Sequence, residues 1–325
     1  MGTRLSEETL VLDETNDSRN DVELRLNVFP PKSGLPSFDP TSLAVLAYCK
    51  FGNAQVEIKS DGFSRLGFIN DGEAIPSLTS GEVRTTSICD MLDLLRKSKF
   101  GADFHLSQKD CADAVAFIEL MESRLLPAVL HTYWLDESNY QEFTREAYAS
   151  AFPLPNAVFQ PRWRRMAAAT HLSNLEGGGA TVGQEEANKR VYRDAFCCLN
   201  NLSDKLGTQR YLFGTEPTAA DAIMFGYLAP LLHIPFPTNK LKGYLESYPN
   251  LSNTVNLIKR IYFTKTEVAL KAAEQEVKET PVVEDLEFPH EKRNTYIAVV
   301  FGITVMVTYV LLRGVISIKI EDDID

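Results

Sequence analysis

The sequence lacks any C-x-x-C pair: its five cysteines, at 49, 89, 111, 197 and 198, are odd in number and irregularly spaced. That pattern excludes a disulfide framework and a zinc ribbon, and reads as reduced thiols in a cytosolic setting. Cys197 and Cys198 adjoin each other, and two buried helix cysteines account for them better than a soft-metal chelate. Positive charge is also scarce. Against 44 Asp and Glu stand 33 Lys and Arg, a net charge of −11. Such a field excludes a general nucleic-acid-binding role, which depends on neutralising phosphates. The stretch EGGGATVG lacks the GK[ST] of a phosphate-cradling loop and reads as a flexible connection between helices. At the amino terminus, MGTRLSEETLVLDETNDSRND has neither the apolar core of a secretory signal nor the Arg-rich, acid-poor pattern of a matrix presequence. Residues 1–21 are therefore read as a disordered polar segment. Their first six do fit the pattern M-G-x-x-x-[ST], which makes Gly2 a candidate for lipidation.

Apolar material, by contrast, is ample. Of 325 residues, 44% are hydrophobic and 24% charged, the make-up of a folded chain with one large or two ordinary domains. In LFGTEPTAADAIMFGYLAPLL, Thr218 stands three residues before Asp221 and ahead of a run that is apolar on nearly every side. Thr-x-x-Asp is a capping box, in which each residue satisfies an end N–H of the other. A helix buried all round has no water to satisfy those groups, so it must carry its own cap. This predicts a helical domain built around that helix, spanning 106–264, with further helices over 107–130, 139–151, 160–175, 184–206, 218–233 and about 250–263.

The first part reads differently. VELRLNVF alternates with period two, as a half-buried strand does. Asp39-Pro40 opens a helix, with an acid at the cap and proline in the first turn. AQVEIK reads as a second strand. GEAIPSLTSGEVRTTSICDMLDLLRKSK gives strand, proline, strand, a turn at Ser80-Gly81, another strand, and a helix from about Thr85–Ser87. The sum is a βαβ unit followed by a ββα unit over 22–105. Proline is excluded from central strands, so Pro76 calls for special geometry, and a cis Ile75–Pro76 bond is the economical answer.

Beyond a charged spacer at 265–295, YIAVVFGITVMVTYVLL runs uncharged from Tyr296 to Leu312, with Lys292 and Arg293 before it and Arg313 after. As a helix it would extend about 25 Å, at the short end for crossing a hydrocarbon core. It is read as a transmembrane tail anchor, with a short acidic tail at 313–325. A short span with basic flanks suits a thin membrane, the mitochondrial outer membrane first and the endoplasmic reticulum second.

A thioredoxin-like half with an Ile-Pro strand, followed by a helical half whose buried helix starts with T-x-x-D, resembles the glutathione transferase superfamily. GLPSFDPTSLAVLAYCKF, LLPAVLHTYWLDESNYQEFTREAYA and FGTEPTAADAIMFGYLAPLL narrow the resemblance to the metaxin family, in its metaxin-1 branch, over residues 22 to 264. The resemblance implies an α+β fold: a thioredoxin-like α/β domain plus an all-α domain, with the anchor behind them. It also implies residence on the cytosolic face of the mitochondrial outer membrane. There metaxins work with metaxin-2 and the barrel-forming core of the sorting and assembly machinery. Links to the inner-membrane organising complex and to motor adaptors for mitochondrial transport are implied as well.

Does the superfamily's chemistry come with the fold? Transferases hold the glutathione thiolate with a Tyr, Ser or Cys at the amino end of the first helix, where the helix field welcomes negative charge. In this chain the region reads PPKSGLPSFDPTSLAV; Ser37, Thr41 and Ser42 are nearby, but Asp39 puts a carboxylate where the thiolate would sit. The acid–serine pair that holds the γ-glutamyl end is replaced by RTTSIC, Arg84 to Cys89, with no acid. Pro76 is kept, and it has a structural role besides presenting backbone to a ligand. The expectation is a fold retained and a chemistry lost, with no cofactor and no metal; a membrane-anchored glutathione-dependent transferase is the alternative. His131, Asp136 and Glu137 can be drawn as a metal site, but Tyr133 and Trp134 among them suggest a packed helix end or a partner-facing surface. Arg162, Arg164 and Arg165 gather around Trp163, either as a solvated helix face or as a surface for a partner or lipid headgroups.

Overall fold

The computed structural model of the chain describes residues 24–59, 75–152, 156–175, 184–279 and 304. The expectations for residues 1–21 with Gly2, for EGGGATVG, for the apolar segment Tyr296–Leu312 apart from Thr304, and for the tail at 313–325 lie outside the described residues. Residues up to Leu270 form one compact unit and 271–325 a second.

Strand β1 (Leu24–Asn27) lies inside a four-stranded sheet of order β2-β1-β3-β4. It pairs parallel with β2 (Val56–Lys59) and antiparallel with β3 (Ser77–Ser80), which pairs antiparallel with β4 (Val83–Thr85). The alternation read from the sequence is real: Leu24 and Leu26 are buried, while Arg25 faces outward and meets its cross-strand neighbour Glu57 at 3.3 Å. A parallel pair needs a crossover, and α1 (Pro40–Phe51) supplies it. Asp39 caps α1 by accepting the Ser42 N–H at 2.8 Å, with Pro40 in the first turn. After β4, α2 (Ile88–Lys97) starts behind Ser87. The Ile75–Pro76 bond is cis, as expected, and Pro76 directly precedes β3, where no ladder bond is asked of it.

Among the described residues the second half is built of helices. α3 (Gln108–Leu120) is capped by Ser107, which accepts the Asp110 N–H at 3.2 Å. It continues through two π turns, Met121–Leu125 and His131–Leu135, on either side of α4 (Leu126–Leu130). Pro127 has no N–H to return to the preceding turn, which widens just before it. Asp136 then caps α5 (Glu137–Asn139), and a third π turn leads into α6 (Arg145–Ala149). α7 (Asn156–Leu175), α8 (Gln184–Leu206), α9 (Ala219–His233), α10 (Lys240–Glu246) and α11 (Pro249–Glu279) follow.

Three readings need correction. α11 runs on to Glu279, well into the stretch taken for a linker; KTEVALKAAEQEVKE holds strong helix formers and neither Gly nor Pro, so nothing stops it. α10 was not anticipated, because seven residues around a glycine are too few to show a period. Cys198 is buried but Cys197 is exposed, so the pair straddles the edge of α8 instead of pointing inward together.

α9 is buried from Ala219 to Leu231, and its first turn answers the need for a built-in cap. The Thr218 amide and hydroxyl both donate to Asp221 Oδ2, at 2.9 and 2.7 Å, and Asp221 Oδ1 accepts the Leu212 N–H at 2.8 Å. The Ala219 amide turns instead to Asp103, whose Oδ1 accepts it at 2.7 Å. Asp103 Oδ2 accepts the Tyr48 hydroxyl at 2.9 Å and two Arg96 N–H groups at 3.1 and 3.0 Å. One carboxylate thus joins α1, α2 and the start of α9.

Burial pushes the Asp221 carboxyl up to about 6, against the bonds from Leu212 and Thr218 that favour its charged form. Its ordinary value is 3.8, so between about pH 4 and 6 the folded chain holds a proton that the unfolded chain has released. The stability that this proton contributes is full below the unfolded value and is lost as pH rises through about 6. We expect the unfolding free energy of the wild type, relative to Asp221→Asn, to fall by up to about 3 kcal/mol from pH 4 to pH 7. Urea midpoints at each pH measure it, and a flat difference contradicts the assignment.

Candidate functional site

A cleft of about 380 Å³ opens at the amino end of α1, with Pro40 and Thr41 on one side and residues of α4 and α7 on the other. This is where a transferase would place its thiolate. What occupies the position is Asp39, and its side chain is fully engaged. Besides the Ser42 amide, Oδ2 accepts the Ser42 hydroxyl at 2.9 Å. Oδ1 accepts the Tyr148 hydroxyl at 2.7 Å. Ser42 Oγ in turn accepts the Phe29 N–H, and Ser37 Oγ the Asp39 N–H, both at 3.3 Å. Ser37 is buried and spent on backbone, and Ser42 is buried between the Phe29 amide and the Asp39 carboxylate; Thr41, half-buried, lines the cleft. The first-turn donor that would welcome a thiolate already has an anion of the chain's own.

Aromatic packing fixes this arrangement. Tyr148 sits edge-on to Phe29 and Phe38 at 4.8 Å each and 4.6 Å from the Trp134 ring. Tyr133 donates to the Phe38 carbonyl at 2.8 Å. Burial, together with the nearby Asp39 carboxylate, holds the Tyr148 and Tyr133 hydroxyls well above the ordinary tyrosine value. They act as permanent donors, not as groups that ionise.

The backbone beside Pro76 is taken as well. Arg164, from α7, donates through Nη2 to the Ile75 carbonyl. Its guanidinium lies 4.9 Å from the Phe29 ring centre and 5.5 Å from that of Tyr148. The strand end that the transferase resemblance implies for presenting backbone to a ligand is here capped by a side chain of the same molecule. Arg84 and Thr85, the start of the RTTSIC segment, lie in β4, and Arg84 Nη2 donates to Ser77 Oγ at 3.3 Å.

The other candidates separate on inspection. His131, Tyr133 and Trp134 are buried, so the packed helix end is the correct reading and the partner-facing surface is withdrawn for all three. Tyr133 packs on Phe236 and Trp134 on Tyr148. His131 Nδ1 meets the Tyr192 hydroxyl at 3.1 Å, and burial lowers its pKa. Asp136 is spent on its cap and Glu137 on Arg165, at 2.7 Å, so the drawn metal triad does not assemble. Among the described residues no group of three His, Cys, Asp or Glu is placed to hold a metal ion. Of the cationic cluster, Arg164 turns inward, Arg165 lies 4.3 Å from the Tyr140 ring centre, and Arg162 and Trp163 face solvent.

An α/β half of order β2-β1-β3-β4 with a cis proline before β3, closed by a helical half around a capped buried helix, defines a glutathione transferase-like fold. Residues 195–261 match the glutathione S-transferase C-terminal domain model, and residues 42–165 match a model described as an outer mitochondrial membrane transport complex protein. The chain is 36% identical to mouse (Mus musculus) metaxin-1 over 290 residues, covering 88% of this chain and 89% of that one. It is 36% identical to Xenopus laevis metaxin-3 over 243 residues, 75% and 78% of the two chains. The solved structure of the β-etherase LigF from Sphingobium is similar at a TM-score of 0.49 and 17% identity, over 76% of this chain and 99% of that one. The chain belongs to the metaxin family.

Sequence reasoning saw Asp39 as a cap but missed Tyr148, which lies 109 positions away. Removing its hydroxyl strands one oxygen of a buried carboxylate. Tyr148→Phe is expected to cost about 1–3 kcal/mol of unfolding free energy, measured by urea denaturation, with the fold intact by circular dichroism. A change below a few tenths of a kcal/mol would mean that Asp39 finds another donor.

Proposed function

We propose that this protein is a non-catalytic subunit of the mitochondrial outer-membrane sorting and assembly machinery, supporting import and insertion of β-barrel proteins through protein–protein contacts. The observation that carries the reading is the Asp39–Tyr148 pair, which fills the thiolate position with a locked anion. The outer-membrane compartment is supported by the transport-complex model over 42–165 and by the metaxin-1 relatives. A metaxin-2-like protein and the barrel-forming core of the machinery are the partners we assign. Contacts with the inner-membrane organising complex and with motor adaptors for mitochondrial transport would use the same body.

Among the described residues no helix is long and apolar enough to cross a membrane. The tail anchor at Tyr296–Leu312 is therefore part of this proposal, resting on its uncharged run and basic flanks. It would leave the bulk of the chain facing the cytosol. The alternative, an anchored glutathione-dependent transferase, keeps Pro76 and the cleft in its favour. Against it, Arg164 already holds the Ile75 carbonyl.

Depleting the protein from cells should lower the yield of assembled porin in the outer membrane several-fold. Wild type and Thr41→Ala should restore it equally, since Thr41 is the cleft hydroxyl that catalysis would need. Normal porin assembly without the protein contradicts the role; failure of Thr41→Ala alone contradicts the absence of chemistry.

A further inference from the structure

The outer face of α7 differs from the rest of the surface. Val158, Phe159, Trp163 and Met166 are 53%, 47%, 58% and 64% exposed. Steps of four and three residues put Phe159, Trp163 and Met166 on one stripe, and the Phe159 and Trp163 rings stack at 6.3 Å with planes 30° apart. Large apolar side chains gathered in the open mark a contact surface, and tryptophan and arginine are the residues most enriched where binding energy concentrates. Beside the stripe, at Met166, opens a groove of about 410 Å³ whose walls also include Arg145, Arg162 and Arg165. Arg165 is paired with Glu137, and Arg145 reaches Gln141 at 3.4 Å. Arg162 is exposed and makes no ion pair among the described residues.

Three arginines thus gather beside an apolar stripe on a chain whose net charge is −11. We propose that this face docks an acidic amphipathic segment of a protein partner. Its apolar residues cover Phe159, Trp163 and Met166, and a carboxylate enters the groove against Arg162. A bilayer fits the face less well. A flat lipid surface leaves the groove unfilled. Met166 suits a peptide, since its flexible thioether adapts to the side chains laid over it.

The proposal rests on the reading of the body as a contact subunit and adds where and to what chemistry it binds. The test uses the full chain in isolated mitochondria, with the photoreactive residue p-benzoylphenylalanine in place of Trp163. Trp163 is exposed, so folding is not at risk, and an unchanged unfolding midpoint verifies it. We expect adducts concentrated on one partner segment with carboxylates and apolar residues at helical spacing. Arg162→Glu should cut their yield about tenfold, and a carboxylate-to-lysine change in that segment should recover it. Adducts on lipid, adducts scattered over many proteins, no adducts, or a yield indifferent to Arg162→Glu would each overturn the proposal. Any of these alongside a porin-assembly defect on depletion would show that the surface is wrong while the role stands.

Discussion

Helix α9 crosses α1 at Gly226, and the crossing leaves no room for one methyl group. A Cβ there would stand 2.6 Å from the Pro40 carbonyl oxygen and 2.6 Å from Ala44 Cβ. Two helices this close must be held at the right depth and angle, and the chain does so from the end of α9. Its first turn is satisfied by Asp221 and Asp103, the second of which also holds Tyr48 of α1 and Arg96 of α2. Buried helix ends without partners are costly, so these bonds are a condition of burying α9 at all. They make the α/β half and the helical half one body, and they set where the amino end of α1 emerges.

That position is the one a transferase needs, and here it is closed from three directions. Asp39 takes the first-turn donors, Tyr148 takes the carboxylate's remaining oxygen, and Arg164 takes the carbonyl before Pro76. The Tyr148 and Arg164 contacts join the two halves across the cleft, so the groups that fill these positions also stiffen the body. A charge-assisted bond between buried partners is worth about 1.5–3 kcal/mol, more than a loosely held cosubstrate could easily displace. The geometry fits a scaffold that presents surfaces, and α7, which sends Arg164 inward and Trp163 outward, serves both ends at once.

Local signals were the legible ones. Thr218 and Asp221, Asp39-Pro40, the alternation around Leu24 and Leu26, and Pro76 are each written within a few residues, because caps, turns and cis prolines are local physics. The longer helices of the second half are legible from periodicity, and the seven-residue α10 is not. The site was only half legible. Asp39 announced a misplaced negative charge, but nothing in the sequence says that Tyr148 or Arg164 will reach it, since those contacts depend on how α6 and α7 return to α1. HTYWL reads equally as a packed helix end or as a surface, since crowded aromatics suit both, and burial of His131, Tyr133 and Trp134 decides for the packed end. The arginine cluster looked uniform, and only the helix phase separates Arg164 from Arg162.

The claim on which the account turns is that the groups that would hold glutathione in this cleft are already engaged by the chain itself. Isothermal titration of glutathione, to millimolar concentration, into the purified full-length protein tests it directly. The structure predicts no saturable heat. A saturable isotherm that disappears with Thr41→Ala would place the tripeptide in the cleft beside Pro76 and contradict the account.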